Sequence, residues 1–238
     1  MIARMVTIAL LAWLPAASNV QANEVELELL LAVDTSTSVN AREFRLQRQG
    51  YADAFRSQKV QDAIASLGPR GMAVALVQWA GPRSQIMAVD WRVVNSPASA
   101  DAYAEQLDRM HRQLQGLTDI SGILKYARKA LLNNRYQGAR LAIDVSGDGA
   151  SDERDPSAER DLSLVEGITI NGIIIHSEEY DLGELATIGL RAHYRDRVIG
   201  GPGHFLMEVE GFEGFAEAIE RKLVREIRGA AFAQMRLK

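Results

Sequence analysis

The chain of 238 residues contains no cysteine. This absence excludes disulfide bonds, cysteine-ligated metal centres and a lipid anchor attached to a cysteine. An excess of basic residues is also missing, because 27 lysines and arginines face 31 aspartates and glutamates and leave a formal net charge of −4. Proteins that bind nucleic acid usually present a basic face. We therefore expect no nucleic-acid partner.

The sequence also lacks an apolar run long enough to cross a bilayer comfortably. The apolar run at the N-terminus covers residues 5–14, follows Arg4 and stops at Pro15, which is short for a spanning helix. A basic start, a short apolar core and the site Val20-Gln21-Ala22 are typical of a secretory signal peptide. Residues 1–22 are therefore predicted to be a signal peptide, with an uncleaved anchor as the alternative. The mature protein is predicted to be periplasmic or secreted, without stable membrane insertion.

The rest of the chain is predicted to form one α/β domain over residues 23–228, followed by a basic tail over residues 229–238. Apolar segments typical of strands alternate with amphipathic segments typical of helices. The predicted strands cover residues 25–33, 72–79, 84–94, 140–145, 168–175 and 204–209. The first predicted helix starts at Asn40, where Glu43 completes a capping-box pattern. The later helices are predicted at 97–110, 120–132, a short segment opened by Asp155 and Pro156, 181–192 and 212–227.

Three short motifs carry the oxygen-bearing side chains of a candidate site. Two of them follow apolar strands, and the carboxyl ends of parallel strands meet at one edge of a sheet, where α/β proteins bind ligands. Carboxylate and hydroxyl oxygens suit Mg²⁺ or Mn²⁺ better than zinc or copper. The motifs are Asp34-Thr35-Ser36-Thr37-Ser38, Gly116-Leu117-Thr118 and Ser146-Gly147-Asp148-Gly149.

The spacing within the first motif has a physical reason. Asp34, Ser36 and Ser38 occupy alternate positions, so in an extended backbone their side chains leave the same face. Asp34 and Asp148 together carry two negative charges, which balance one divalent cation. Because the remaining ligands would be neutral hydroxyls, such a site can still accept an anionic oxygen from outside.

These motifs resemble the metal-ion-dependent adhesion site of the von Willebrand factor A (vWA) domain family. The family pattern is Asp-x-Ser-x-Ser, a later threonine and a later aspartate before glycine. The resemblance covers residues 24–227 and is closest to an exported bacterial branch of the family. Two departures are present: Gly147 replaces the usual hydroxyl residue, and Ser121 competes with Thr118. Thr118 is preferred because it follows Gly116 and precedes a helix.

The resemblance implies both a fold and a function. The expected fold is a doubly wound α/β sandwich with a mainly parallel six-stranded sheet, helices on both faces and one antiparallel edge strand. The expected function is metal-dependent binding of a protein partner, whose acidic side chain completes the coordination of Mg²⁺ or Mn²⁺. In the family, the serine and threonine oxygens bind the metal directly, while one or both aspartates often act through water. The implied metal residues are Asp34, Ser36, Ser38, Thr118 and Asp148.

Two other functions remain open from the residues alone. Aspartate-nucleophile phosphatases also place a Mg²⁺ site after a first strand, but they need a second aspartate as general acid where this chain has Ser36. A structural domain with a vestigial motif is the other alternative, in which Asp34 serves as a turn former. We expect a binding module rather than an enzyme.

Four further polar residues near the motifs have two interpretations each. Asp144 lies inside an apolar strand, either beneath the metal or bonded to nearby backbone or serine. Asp119 and Asp152 are expected to be helix or turn caps rather than ligands. His176 either joins the metal-bearing edge or lies in an ordinary surface loop.

Overall fold

The computed structural model of the chain describes residues 23–151, 154–176 and 183–235. The predicted signal peptide, Asp152 and the end of the predicted tail lie outside the described residues. The strands are β1 (Asn23–Val25), β2 (Leu27–Asp34), β3 (Met72–Trp79), β4 (Gln85–Val94), β5 (Tyr136–Gly138), β6 (Leu141–Gly147), β7 (Ile168–His176) and β8 (Leu206–Glu210). The helices are α1 (Ala41–Arg56), α2 (Gln58–Ala65), α3 (Pro97–Asp108), α4 (Ile120–Leu132), α5 (Ser157–Val165), α6 (Gly183–His193) and α7 (Phe215–Met235), with a π-helical segment at Tyr194–Val198.

Six of these strands form one sheet in the order β4-β3-β2-β6-β7-β8. The edge strand β4 runs antiparallel to β3, and the other neighbours are parallel. This arrangement confirms the predicted fold class. It also brings the carboxyl ends of β2 and β6 side by side, since Val33 pairs with Ser146.

Helices cover both faces of the sheet because successive side chains of the central strands point to opposite sides. Leu29 and Leu31 pack with α1, α2, α3 and α7, whereas Leu30 and Ala32 pack with α4, α6 and the π-helical segment. Every residue of β2 and β3 is buried. Strands covered on both faces are expected to be apolar throughout, which is why these two were readily predicted.

A two-stranded parallel sheet between β1 and β5 was not predicted from the sequence. Its neighbour Glu28 is buried on β2 and accepts hydrogen bonds from Asn134 Nδ2 (2.6 Å) and the Gly138 amide (2.5 Å). Burial raises the pKa of Glu28, and these two donors oppose the shift. The strands have three residues each, too few to show a periodic pattern.

Helix α1 begins directly after its predicted capping residue, Asn40. Asn40 accepts hydrogen bonds from the amides of Arg42 and Glu43, and the Glu43 carboxylate accepts one from the Asn40 amide at 2.8 Å. This reciprocal pair confirms the predicted capping box. Among the described residues, no helix is long and apolar enough to cross a membrane.

The last helix is longer than predicted. It continues to Met235 instead of ending at Ile227, so the start of the predicted basic tail is helical. The added segment contains three alanines, no proline and one glycine, and alanine has the highest helix propensity. The predicted end relied on the apolar stripe stopping at Ile227, but a helix can outlast its buried stripe.

Asp144 has a partner that neither sequence interpretation foresaw. It is fully buried on β6 and contacts Lys222 Nζ of α7, which is equally buried. Lys222 also donates a hydrogen bond to Glu226 Oε1 at 2.7 Å. The two polar residues of α7 share the spacing of the apolar stripe formed by Phe215 and Ile219. Because Lys222 and Glu226 fall on the apolar face of the helix, the sequence pattern could have indicated that these two charged side chains are buried.

Helix α1 packs against α7 through a close approach at Gly50. A Cβ atom added there would lie 2.8 Å from Phe215 Cδ1 and 3.1 Å from Ala216 Cα. Gly50→Ala is therefore expected to lower the free energy of unfolding by about 1–3 kcal/mol through overpacking. Gly189→Ala in α6, where no atom lies within 4 Å, should instead raise it by roughly 0.5–1 kcal/mol. Urea unfolding of both variants measures the difference, and equal shifts would contradict this account of the α1–α7 contact.

Candidate metal centre

The structure brings the three motifs together at the carboxyl edge of the sheet. Asp34 ends β2, and Asp148 directly follows β6. Ser38 Oγ donates a hydrogen bond to Asp148 Oδ1 at 2.8 Å and so joins the first and third motifs. A Cβ atom added at Gly149 would lie 3.9 Å from Thr118 Oγ1, so the second motif borders the third. The five residues predicted from the sequence are thus neighbours.

The first motif forms a tight turn that orients its side chains. Asp34 Oδ1 accepts a hydrogen bond from the Ser36 amide at 2.7 Å. The hydroxyl oxygens of Ser36 and Ser38 lie 3.0 Å apart. The alternate positions expected to share one face therefore do so, with their oxygens gathered beside Asp148.

Two carboxylate oxygens at this edge are buried without a hydrogen-bond partner. They are Asp34 Oδ2 and Asp148 Oδ2, and the buried hydroxyl of Tyr194 also lacks one. Burial and the nearby Asp148 carboxylate raise the pKa of Asp34 to about 8. Burial likewise raises the pKa of Asp148. Buried carboxylates are costly unless a cation, a proton or a donor compensates them, so any of these would lower the cost of burying Asp34 and Asp148.

The geometry explains the glycine that departs from the vWA pattern. A Cβ atom at Gly147 would lie 2.7 Å from the Tyr194 hydroxyl and 3.0 Å from Asp34 Oδ2. Tyr194, fully buried in the π-helical segment, therefore occupies the space that a larger residue at position 147 would need. The departure at Gly147 thus fits the position of Tyr194, which comes from a distant part of the chain.

Arg112 fixes the first two motifs relative to each other, and the sequence analysis did not identify it. Its Nη2 donates to the carbonyl oxygens of Thr35 (2.8 Å) and Ser36 (2.7 Å), and its Nε donates to Leu114 O at 3.2 Å. The Thr37 amide adds a hydrogen bond to Gly116 O at 2.9 Å. No sequence pattern marks an arginine that binds backbone carbonyls, so only the structure reveals this role.

Gln78 anchors the other end of the same loop. It is buried near the end of β3, donates from Nε2 to His111 O at 2.7 Å and accepts from the Gln113 amide at 2.8 Å. A glutamine amide can pair in this way with backbone as another strand would. Residues 111–118 are therefore held in place by contacts within the chain.

Asp119 is a helix cap, as predicted. It is buried, accepts a hydrogen bond from the Gly122 amide at 3.1 Å and forms an ion pair with Arg154. Ser121, the rival of Thr118, is buried in the first turn of α4. Leu117 is 52% exposed beside Thr118 and so forms an apolar rim next to the motif.

His176 pairs away from the motif residues. Its Nε2 lies 3.0 Å from Glu208 Oε2, and Arg191 binds the same carboxylate through two hydrogen bonds. These contacts argue against a role in the metal site, but His176 ends β7 with its side chain only 13% exposed, so it does not lie in an ordinary surface loop either. Within the described part of the chain, no three histidine, cysteine, aspartate or glutamate side chains form a group that could hold a metal. A cation here would therefore depend on hydroxyl ligands in addition to the two carboxylates.

A protein-family profile described as "Protein of unknown function (DUF1194)" matches residues 24–231. The chain belongs to this family. No curated protein matches it.

Solved structures with vWA domains share the fold of this DUF1194 chain, which confirms the predicted resemblance. Proximal thread matrix protein 1 from the mussel byssus, in a structure with a zinc-occupied MIDAS motif, is 17% identical, with a TM-score of 0.60 over 85% of this chain and 46% of that one. BatB from Bacteroides thetaiotaomicron is 15% identical, with a TM-score of 0.52 over 85% and 99%. The vWF domain of the type V pili tip protein Mfa5 from Porphyromonas gingivalis is 13% identical, with a TM-score of 0.51 over 84% and 96%. The DUF1194 chain thus spans less than half of the mussel protein.

Gly147 offers a test of the site geometry. Gly147→Ala places a methyl group against Asp34 and Tyr194, so we expect divalent-cation affinity to fall by about 10–100-fold, as for other residues that orient metal ligands. Gly149→Ala, whose added Cβ would make only ordinary contacts with Thr118, is the matched control and should bind nearly as the wild type does. Calorimetric titration with Mn²⁺ measures both, and equal affinities for the two variants would contradict the described packing.

Proposed function

We propose that this DUF1194 protein is an exported, metal-dependent protein-binding module. Asp34, Ser36, Ser38, Thr118 and Asp148 would hold one Mg²⁺ or Mn²⁺. A partner protein would supply an acidic side chain to the same centre. The observation that carries the proposal is the pair of buried carboxylate oxygens without hydrogen-bond partners, next to gathered hydroxyls.

The charges of the site favour an anionic partner. Two carboxylates balance one divalent cation, and the hydroxyls of Ser36, Ser38 and Thr118 add no charge. A bound divalent cation would supply a positive centre with room for an oxygen from outside the chain. Burial and Asp148 raise the pKa of Asp34, and the nearby Arg112 guanidinium opposes that rise, so it adds positive potential at the same edge. A partner carboxylate would meet attraction there rather than repulsion.

The donor set also bears on the identity of the cation. The mussel protein holds zinc in its motif, but zinc in proteins is usually bound by nitrogen and sulfur. The five residues proposed here offer oxygen atoms alone, which suit Mg²⁺ or Mn²⁺. A competition titration of these cations against Zn²⁺ distinguishes the two assignments.

Binding is favoured over phosphate-ester hydrolysis by the arrangement at position 36. A phosphatase of the Asp-x-Asp type needs a protonated carboxyl there, whereas Ser36 presents a hydroxyl that already contacts Ser38. The solved relatives named above include a pilus tip protein and a byssus matrix protein. Mg²⁺-dependent ester turnover that disappears in Asp34→Asn would assign Asp34 as a nucleophile and overturn the proposal.

The metal site is tested with Asp34→Ala. We expect this variant to lose Mg²⁺ and Mn²⁺ binding in calorimetry. Its metal-free form should be at least as stable to urea as the metal-free wild type, because the substitution removes a buried, incompletely compensated carboxylate. Asp161→Ala on the exposed surface of α5 is the matched control and should retain binding. Equal metal affinity in wild type and Asp34→Ala would reject the site.

Partner capture tests the second half of the proposal. Immobilised wild-type protein should retain a partner from a native extract in Mg²⁺, release it with a chelator and recover it when Mg²⁺ returns. Thr118→Ala should reduce this retention more than it reduces metal affinity, because it removes one neutral ligand and shifts the position open to the partner. Thr169→Ala on β7, which loses a hydroxyl bonded to Pro202 O away from the motifs, is the control. Retention that is indifferent to chelator would contradict a metal-mediated contact.

Export is tested independently of the site. The periplasmic or extracellular fraction should contain protein that begins at Asn23, as expected for cleavage after Ala22. N-terminal sequencing of that fraction measures the start directly. Intact Met1 on protein confined to the cytoplasm would overturn this part of the proposal.

A further inference from the structure

A second cluster of charged groups lies inside the protein, away from the metal motif. Lys222 of α7, Asp144 of β6 and Glu226 of α7 are buried, with side-chain exposures of 0%, 0% and 1%. Lys222 Nζ contacts Asp144 Oδ1 and donates a hydrogen bond to Glu226 Oε1 at 2.7 Å. One amine therefore touches two carboxyl groups at a site without access to bulk water.

The surroundings of this cluster are poor in compensating groups. Neither oxygen of Asp144 has a hydrogen bond of proper geometry. The ring of Phe205 lies 5.3 Å from Lys222 Nζ, and the Arg225 guanidinium stacks on that ring at 3.9 Å. A buried ion pair repays the cost of its desolvation only if further donors satisfy the remaining oxygens of the carboxylate. Asp144 contacts the Lys222 ammonium and has no such further donor.

The cluster also has one negative charge too many if every group is ionised. Burial and the neighbouring Asp144 raise the pKa of Glu226 to about 7, and burial raises the pKa of Asp144. Burial opposes the charge of Lys222, but the two carboxylates outweigh it and raise its pKa. The raised pKa of Lys222 favours the ammonium, whereas the raised pKa of the buried Asp144 favours the neutral carboxylic acid. Transfer of one proton from the ammonium to Asp144 yields a neutral amine in contact with a neutral carboxylic acid.

We propose that Lys222 and Asp144 condense to form an isopeptide bond between α7 and β6. The nitrogen of the neutral amine attacks Cγ of the protonated Asp144 and forms the new C–N bond. The nitrogen gives a proton to the Glu226 carboxylate, and Glu226 passes it to the departing hydroxyl. The C–O bond breaks, one water molecule leaves, and no atom changes its oxidation state.

The contacts select Asp144 over the other candidate acceptor. Asn171 also lies in the cluster, but its amide is engaged on both sides. Its Nδ2 donates to Glu226 Oε1 at 2.9 Å, and its Oδ1 accepts from the Phe205 amide at 3.1 Å. Asn171 therefore holds Glu226 in position while Asp144 meets the amine. The amide product would remove both charges of the pair from the protein interior.

Intact mass spectrometry of the full protein tests the proposal. The wild type should be lighter than its sequence, counted from the observed N-terminus, by the mass of one water molecule. Trypsin should release a branched peptide that joins residues 141–154 to residues 222–225, because an acylated Lys222 is not cleaved. A wild-type mass equal to that of the unmodified sequence would overturn the proposal. A deficit of one ammonia molecule would assign the bond to Asn171 and equally reject it.

Matched variants separate this bond from other losses of water, such as cyclisation at Asp148-Gly149. Lys222→Met and Glu226→Gln should both restore the full mass, the first because the amine is gone and the second because the proton carrier is gone. Lys125→Met, at a half-exposed lysine of α4, should keep the deficit. A deficit that persists in Lys222→Met would show that the water is lost elsewhere. If the variants fold poorly, the branched peptide from the wild type still decides.

Discussion

The burial of two carboxylates at one edge of the sheet is the constraint on which the candidate site depends. Asp34 and Asp148 reach this edge because β2 and β6 are neighbouring parallel strands with their ends in register. Each keeps one buried oxygen without a donor, so the edge needs a cation or protons to compensate it. The nearby residues suit this requirement. Gly147 leaves space beside the Asp34 carboxylate, and the hydroxyls of Ser36 and Ser38 add oxygen atoms without adding charge.

A second set of buried charged groups lies in the core of the protein rather than at the edge of the sheet. Lys222 contacts both Asp144 and Glu226 within the core, which leaves one carboxylate in excess, and Arg140 donates to the carbonyl oxygens of Glu226 (3.0 Å) and Ile227 (2.9 Å). These contacts fasten α7 to the centre of the sheet. The edge of β6 therefore carries the candidate metal residues, while its interior carries a cluster whose charged groups all belong to this chain.

The sequence could predict what depends on local patterns. Strand and helix periodicity located the sheet, Asn40 and Glu43 located a helix start, and the Asp34, Ser36 and Ser38 spacing located the first motif. Contacts between residues that are far apart in the sequence could not be predicted. Nothing near Arg112 indicates that it binds the carbonyls of the first motif, and Asp144 offers no sign of its partner on α7. The pairing of the short strands β1 and β5 was not predicted, because three residues are too few to show a periodic pattern.

The candidate site depends on loops that the rest of the protein holds still. Relatives with the same fold share between 12% and 19% of their residues with this chain, and a fold alone does not specify function. The specific elements are local: Gln78 and Arg112 hold the loop before Thr118, and Tyr194 faces Gly147. These contacts are all made within the chain, and sites held by such contacts lose less free energy to ordering when they bind. Recognition would then depend on the charge at the edge and on the rim around it, where Leu117 is exposed.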